Sequence, residues 1–351
     1  MTDLDRATTE TTGATGATAA TPLAGLSRVI GSAARAANAH NTQPWELRHG
    51  TDHIEVGWRE EYALGPSDPT HRDLRLSLGT YIETLLIGAG AASVPVEFVP
   101  DYDAGLRRVG RIRPAERPYA TSLLPADVNG RRVWRGAWAP DRVPDEVIAA
   151  AEQTAREAGF RIAAVPTAAV RPLLVRAYHW FFKDRGIAAE LLAWSRLSPR
   201  HPKYHSDGLN DVMLVLNRAE SALMNLLFAP AVYRALRPFG LERLLTVFTS
   251  GATKGDGTVL VLLGRGSDPS REVEAGRVVT RLWLGLYQQG VYVHPQSHVI
   301  DCPDTVGPLG EVCQADGDER PLVFFRVGIP AVDPAGRPQH PRREEAPAPS
   351  R

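Results

Sequence analysis

AHNTQPWELR, Ala39 to Arg48, sets His, Asn, Thr, Gln, Pro and Trp side by side. It follows LAGLSRVIGSAARAA, residues 23–37, where apolar residues recur at helical spacing. The ordinary reading is a helix end and a turn, with Trp45 filling a core. That reading leaves Asn41 and Gln43, on either side of one small residue before Pro44, without a reason.

Outward from this stretch, WELRHG and HIEVGWR are extended pieces joined by Gly50, Thr51 and Asp52, a hairpin pattern. DPTHRDLRLSLGTYIETLLIGAGAAS opens on a capping Asp or Thr and continues as a long apolar helix. VPVEFVPD and LRRVGRIRPA read as strands. The order then restarts. RVPDEVIAAAEQTAREAGFRIAAV is a helix that stops at Gly159 and enters a strand. TVLVLLGRG is a strand, EAGRVVTRLWLGLYQQGVYVHPQ a helix ending at Gly290, and PLVFFRVGIP a strand. Helix–strand–helix–strand twice over predicts an α+β chain of two similar halves, 23–124 and 125–332, packed on each other as subunits of a homodimer would pack. Residues from about 176 to 249 have no counterpart in the first half and read as an inserted lid. Residues 1–22 read as a disordered tail and 333–351 as a Pro- and Arg-rich tail.

Composition narrows the function. The chain has 351 residues, 40 basic and 40 acidic, for a formal net charge of zero, which argues against a nucleic-acid binder driven by bulk charge. Three of the basic residues are lysines, so the positive charge is nearly all arginine. Two cysteines, Cys302 and Cys313, make no disulfide framework and no zinc pattern. The N-terminus has no signal-peptide pattern and no window reads as a membrane span, so a cytoplasmic protein without a membrane or nucleic-acid partner is expected.

Some local patterns carry chemistry. RRVWRG places Arg131, Arg132 and Arg135 within five residues, and their guanidinium forks suit a phosphate or a heterocycle's carbonyls, or form a solvated basic turn. Pro341-Arg342-Arg343 is a second candidate anion contact. HPQSHV follows a helix and can present backbone N–H groups to a ligand, or be an ordinary loop. His294 and His298, and His201 and His205, lie four apart, but Pro295 and Pro202 break both would-be helices, so no metal site is expected. The dinucleotide, P-loop and hydrolase motifs are absent.

NAHNTQPW resembles the PSxxNxQPW signature of the nitroreductase superfamily. RRVWRGAWAPDRVPDE resembles that family's RRSxRxF…VPxE signature, and AGRVVTRLWLGLYQQGVYVHPQSH its G…L…GxxxxP helix and loop. RVGIP followed by PRR resembles its C-terminal strand and basic end. In the family RRSxR comes first. Here the order is inverted and each half keeps a different piece, as in the single-chain twin, Acg-like group. The resemblance implies a nitroreductase-like fold of two fused pseudo-repeats, each a mixed or antiparallel sheet flanked by helices, forming an intramolecular pseudo-dimer.

It also implies an FMN-dependent oxidoreductase, with NAD(P)H or O2 as co-substrate and a small-molecule substrate. That substrate is a nitro or quinone-like compound to be reduced, or a metabolite to be oxidised. The alternative it implies is a non-catalytic flavin-sequestering protein whose lid closes the site. Residue by residue, it assigns Asn38, Asn41 and Gln43 to flavin contacts from the first half. From the second half come Arg131, Arg132, Arg135, Pro295, Gln296, Ser297 and His298, with Arg342 and Arg343 at the phosphate. Ser297 and His298 would stand near flavin N5, and His294, His298, Tyr292, Tyr204 and His205 are candidate proton donors. The run His179-Trp180-Phe181-Phe182 is a candidate lid surface or substrate pocket. Such a chain is a monomer with an internal pseudo-dimer, or a homodimer.

Overall fold

A computed structural model of the chain describes residues 22–250, 255, 257–334 and 340–343. The expected N-terminal tail, save its last residue, and most of the expected C-terminal tail lie outside these residues.

The helical spacing of residues 23–37 does not give one helix. Two short α-helical pieces, Pro22–Gly25 and Ile30–Ala33, flank a 3-10 turn over Leu26–Arg28. Gly25 and Gly31 are weak helix formers, and burial of Leu26, Ala33 and Ala36 fixes the path instead.

Strands β1 (Trp45–His49) and β2 (Ile54–Trp58) form the expected hairpin, with Trp45 opposite Trp58 and His49 opposite Ile54. Trp45 packs, as expected, stacking on Tyr81 at 4.7 Å between ring centres. Helix α1 (Arg72–Ala91) follows, its first turn capped by the Asp68 carboxylate, which accepts from the N–H groups of Asp73 (3.1 Å) and Leu74 (2.8 Å). Strands β3 (Val96–Asp103) and β4 (Arg108–Pro114) complete an antiparallel sheet of order β1-β2-β4-β3.

The second half repeats this plan. Helix α2 (Asp145–Glu157) leads into β5 (Arg161–Pro166). Strand β6 (Thr258–Arg265) pairs with it. Helices α3 (Thr167–Lys183), α4 (Arg185–Trp194), α5 (Arg218–Leu227), α6 (Pro230–Leu236) and α7 (Leu241–Ser250) lie between the two strands. Then come α8 (Pro269–Gln288), β7 (Tyr292–Pro295), α9 (His298–Asp301), α10 (Pro303–Val312) and β8 (Glu319–Gly328). The sheet order is β5-β6-β8-β7, again antiparallel throughout. Both sheets are therefore two strands, a long helix, then an edge strand and an inner strand. The extra material occupies the turn of the second half's opening hairpin. It starts at Thr167, since α3 belongs to it as well as the aromatic segments.

The halves meet along α1 and α8. A Cβ on Gly79 would stand 1.9 Å from the Val273 carbonyl oxygen, and one on Gly276 would stand 2.1 Å from that of Leu76. Glycine at both positions lets the two backbones touch. Charge pairs flank the crossing. Arg75 meets Glu272 at 2.6 Å, and Arg277 meets the fully buried Glu83 at 2.9 Å. These pairs desolvate each other's charge, so each arginine fixes register as much as it stabilises.

Candidate functional site

A cavity of about 530 Å³ opens where the two halves and the helical excursion meet. Three separate stretches of the first and second halves bring polar groups to its wall.

The first is the opening stretch. Ala39–Asn41 forms a 3-10 turn in which His40 (φ 47°) and Asn41 (φ 55°) are left-handed, and Gln43 (φ 50°) repeats the conformation. Such backbone costs about 1 kcal/mol or more per non-glycine residue, least for asparagine. Side chains hold it in place. Asn38 Oδ1 accepts from the Gln43 N–H at 2.9 Å. Asn41 Nδ2 donates to the carbonyls of Pro341 (3.2 Å) and Gly208 (3.4 Å). Asn38 and Asn41 line the cavity.

The second is RRVWR. Trp134 N–H donates to Val293 O at 2.8 Å and Val133 bridges Val293 in parallel, so the segment lies alongside β7 as an extended strand. Side chains of an extended segment alternate. Arg131, Val133 and Arg135 accordingly face the cavity. Trp134 is buried, its indole N–H donating to Ala137 O at 2.9 Å. Arg132 falls on the other face and donates to the carbonyls of Gly130 (3.0 Å) and Arg131 (3.1 Å).

The third is HPQSHV. It is the end of β7, held by β8, followed at once by α9, and His294, Pro295, Gln296, Ser297 and His298 all line the cavity. The Tyr178 ring lies 4.1 Å from that of His298, and Gln296 Nε2 donates to the Tyr178 hydroxyl at 2.9 Å.

One end of the cavity is strongly cationic. Burial lowers Arg131 to about 10, helped by Arg132, and lowers Arg135 to about 10. Burial, then Arg35, Arg131 and Arg132, lowers Arg342 to about 9. His340, beside them, is lowered to about 2 by burial and then by Arg342. Arg135 donates to the Met213 carbonyl at 3.0 Å and Arg342 to Asn41 Oδ1 at 2.8 Å. Arg131 Nη1, Gln296 Oε1 and His298 Nε2 are buried with no hydrogen-bond partner among the described residues. Buried donors and acceptors are normally satisfied. The gathered guanidinium groups, with Arg131 Nη1 left without a partner, can receive an anion.

Another part of the wall carries carboxylates. Asp73 and Asp301 line the cavity, and Arg72 pairs with both, at 2.7 Å and 3.0 Å. Burial lowers Arg72, but Asp73 and Asp301 outweigh it and hold the guanidinium above its ordinary value. Carboxylates that share one buried cation disfavour each other's ionisation. Burial raises Asp301 to about 8 against the pull of Arg72, with Asp73 and Asp68 adding to the rise. Burial pushes His298 down to about 3 and His294 well below its ordinary value, so both imidazoles are neutral at pH 7.

Gln43 and Arg343, like Arg132, do not reach the cavity. Gln43 Nε2 donates to Ser206 O at 2.8 Å, and its Oε1 accepts from the Arg343 N–H at 2.9 Å. Arg343 pairs with the buried Asp207 at 2.6 Å and lies 3.5 Å over the Tyr62 ring. These two residues tie the C-terminal segment and the 206–208 loop to the first half. In the aromatic run, Phe181 and Phe182 line the cavity while His179 and Trp180 do not, and Tyr204, His205 and Tyr292 also lie off its wall. Tyr178, Asp73, Asp301 and His340 were not singled out by the sequence. Tyr178 begins the aromatic run, but the acidic pair comes from helices 228 positions apart and left no local signal.

Two curated Mycobacterium tuberculosis proteins, each named "Putative NAD(P)H nitroreductase", are 26% identical to this chain over 323 residues, 90% of this chain and 88% of theirs. Among solved structures, the FMN-dependent nitroreductase NfnB from Mycobacterium smegmatis in complex with NADPH aligns with 58% of this chain and 86% of its own, at 19% identity and a TM-score of 0.35. A nitroreductase with bound FMN from Bacteroides fragilis aligns with 64% of this chain and 96% of its own, at 12% identity and a TM-score of 0.36. No family model matches the chain.

Proposed function

We propose that this chain, a nitroreductase-superfamily member by its motifs and its full-length relatives, is an FMN-dependent oxidoreductase that reduces a small nitro or quinone-like compound with NAD(P)H. The observation that carries the reading is the cationic end of the cavity, where Arg131, Arg135 and Arg342 gather and Arg131 Nη1 is buried without a partner. It is walled by Asn38 and Asn41 from one half and by RRVWR and HPQSH from the other. The donor set fits FMN. Arg131, Arg135 and Arg342 would hold the phosphate and the pyrimidine carbonyls. Asn38 and Asn41 would meet the flavin from the first half, with Pro295, Gln296 and the backbone N–H groups of Ser297 and His298 along the ring edge. When bound, FMN supplies a carrier that gives or takes a hydride at N5.

The protein's own residues do the rest. Arginines and the Ser297 and His298 N–H groups favour the negative charge of the reduced ring. Phe181, Phe182, Met213 and Met224 exclude water from the substrate side. His294 and His298, neutral at pH 7, act as hydrogen-bonding groups and not as imidazolium acids. Asp301 is a carboxyl on the cavity wall whose burial favours the protonated form against the pull of Arg72, and it is the group assigned to hand a proton to the substrate.

A second reading, sequestration of flavin without turnover, draws support from the closure over the cavity. Glu190 on α4 accepts from the N–H groups of Gly65 (2.7 Å) and Ser67 (2.9 Å), and Arg343 holds Asp207. One experiment separates the two. Purified protein carrying yellow oxidised flavin is mixed anaerobically with NADPH or NADH. Rapid bleaching supports the reductase, and a flavin that stays oxidised supports sequestration. A protein that takes up no FMN refutes both.

A further inference from the structure

We propose that the outer face of α5, α6 and α7 docks on an anionic lipid surface. Among the described residues ten large apolar side chains are exposed, and six of them fall between positions 223 and 247. They are Leu223 (53%), Leu226 (57%), Leu236 (37%), Phe239 (85%), Leu244 (60%) and Val247 (66%). Their pattern is regular. Leu223 and Leu226 share one face of α5, three residues apart, and Leu244 and Val247 do so on α7. The opposite faces bury Met224, Leu241 and Leu245, which join Phe228 and Tyr233 in one core. The helices thus have a satisfied inner face and a second, outward apolar face that the excursion's own fold does not require. A monomer gains nothing from leaving such a face in water.

Charge selects the occupant. Residues 217–247 carry Arg218, Arg234, Arg237 and Arg243 against Glu220 and Glu242, with no lysine or aspartate, while the whole chain is neutral. Arg218, Arg234 and Arg243 are exposed. Glu220 is engaged by the Asn217 N–H at 2.8 Å as part of a helix cap. Outward apolar side chains with exposed arginines on the same short helices are the pattern of a segment lying in a lipid interface. Phe239, 85% exposed at the turn between α6 and α7, is the side chain best placed to enter the lipid. No described helix is long and apolar enough to cross a membrane, so the contact is peripheral. Since Met224 and Phe228 line the cavity while Leu223 and Leu226 face out, docking would lay the cavity's roof against the lipid.

The test is sedimentation of the full chain with vesicles of phosphatidylglycerol and phosphatidylcholine, or of phosphatidylcholine alone. Binding to the anionic vesicles is expected, with strong weakening by added salt. A variant with R218Q, R234Q and R243Q should lose roughly fivefold in partition per arginine. A variant with F239S, L244S and V247S should lose binding at every salt concentration. All three of its positions are exposed, so a native far-UV spectrum and unfolding midpoint should be kept. Absence of binding at millimolar anionic lipid overturns the proposal. So does concentration-dependent dimerisation that the serine variant abolishes, which would assign the face to a second copy. Tight binding to acidic polypeptides without binding to vesicles would overturn it equally.

Discussion

Replacing Gly276 by alanine probes the contact on which the pairing of the two halves rests. The added methyl would lie 2.1 Å from the Leu76 carbonyl oxygen and 3.0 Å from Gly79 Cα, both backbone atoms with no rotamer to yield. A carbon–oxygen contact settles near ~3.3 Å, so the helices must part by roughly 1 Å. Parting them also stretches Arg75–Glu272 and Arg277–Glu83. Overpacking of this kind costs about 1–3 kcal/mol. Exchanging glycine for alanine within a helix returns roughly 0.8–1 kcal/mol. The expected balance is a loss of about 0–2 kcal/mol in unfolding free energy. Gly285 on the same helix has nothing within 4 Å of its would-be Cβ, so Gly285→Ala should instead gain about 0.5–1 kcal/mol. Urea unfolding followed by circular dichroism and tryptophan fluorescence reads both. Opposite signs on one helix are the expected result. A Gly276→Ala protein as stable as Gly285→Ala would refute the close crossing and the interface built on it.

Other outcomes follow from the site. Arg135→Ala should weaken FMN retention by about 10- to 100-fold in a fluorescence titration, the range expected for a lost charged hydrogen bond, and unchanged occupancy would remove its assigned role. Asp301 keeps its proton to about pH 8 when folded, because burial disfavours its charge, whereas an exposed aspartate releases it near pH ~4. The folded state then binds the extra proton, so stability is fullest below that lower value and is lost as pH rises through the upper one. Asp301→Asn should flatten this slope in unfolding midpoints measured from acid to weakly alkaline pH, and an unaltered slope would assign the effect elsewhere. Asp207→Ala leaves Arg196 and Arg343 without their shared carboxylate and should cost about 3–5 kcal/mol, read in the same urea assay, with a loss under 1 kcal/mol counting against the buried pair.

Much of this architecture is legible in the chain because its signals are local. Alternation and turn residues mark β1 and β2, Gly159 and Gly290 mark helix ends, and the repeated order of elements exposes the pseudo-repeat. The fragmentation of residues 23–37 is not legible, because helical spacing persists while two glycines and burial decide otherwise. Within the site, RRVWR announces its cations, but which arginines reach the cavity depends on the segment lying extended along β7. That one fact divides Arg131 and Arg135 from Arg132. The left-handed backbone at His40, Asn41 and Gln43 is also silent in the sequence, since no glycine marks it. The acidic wall depends on α1 and α9 meeting, a long-range event with no periodicity to betray it.

The turn that hosts the helical excursion has a consequence of its own. In the first half, the corresponding turn is closed by the Gly50 N–H donating to His53 O at 2.9 Å. In the second, Pro166 stands opposite Thr258 and the Thr167 N–H donates to Gly257 O at 2.8 Å, so the whole module departs and returns on a single rung. Both ends are anchored at one point of the sheet, and no strand must change register to accommodate what hangs between them. The fold thus treats its cavity roof as an interchangeable cartridge in a fixed socket. A longer or shorter module would hang from the same rung with the pairing of β5 and β6 unchanged.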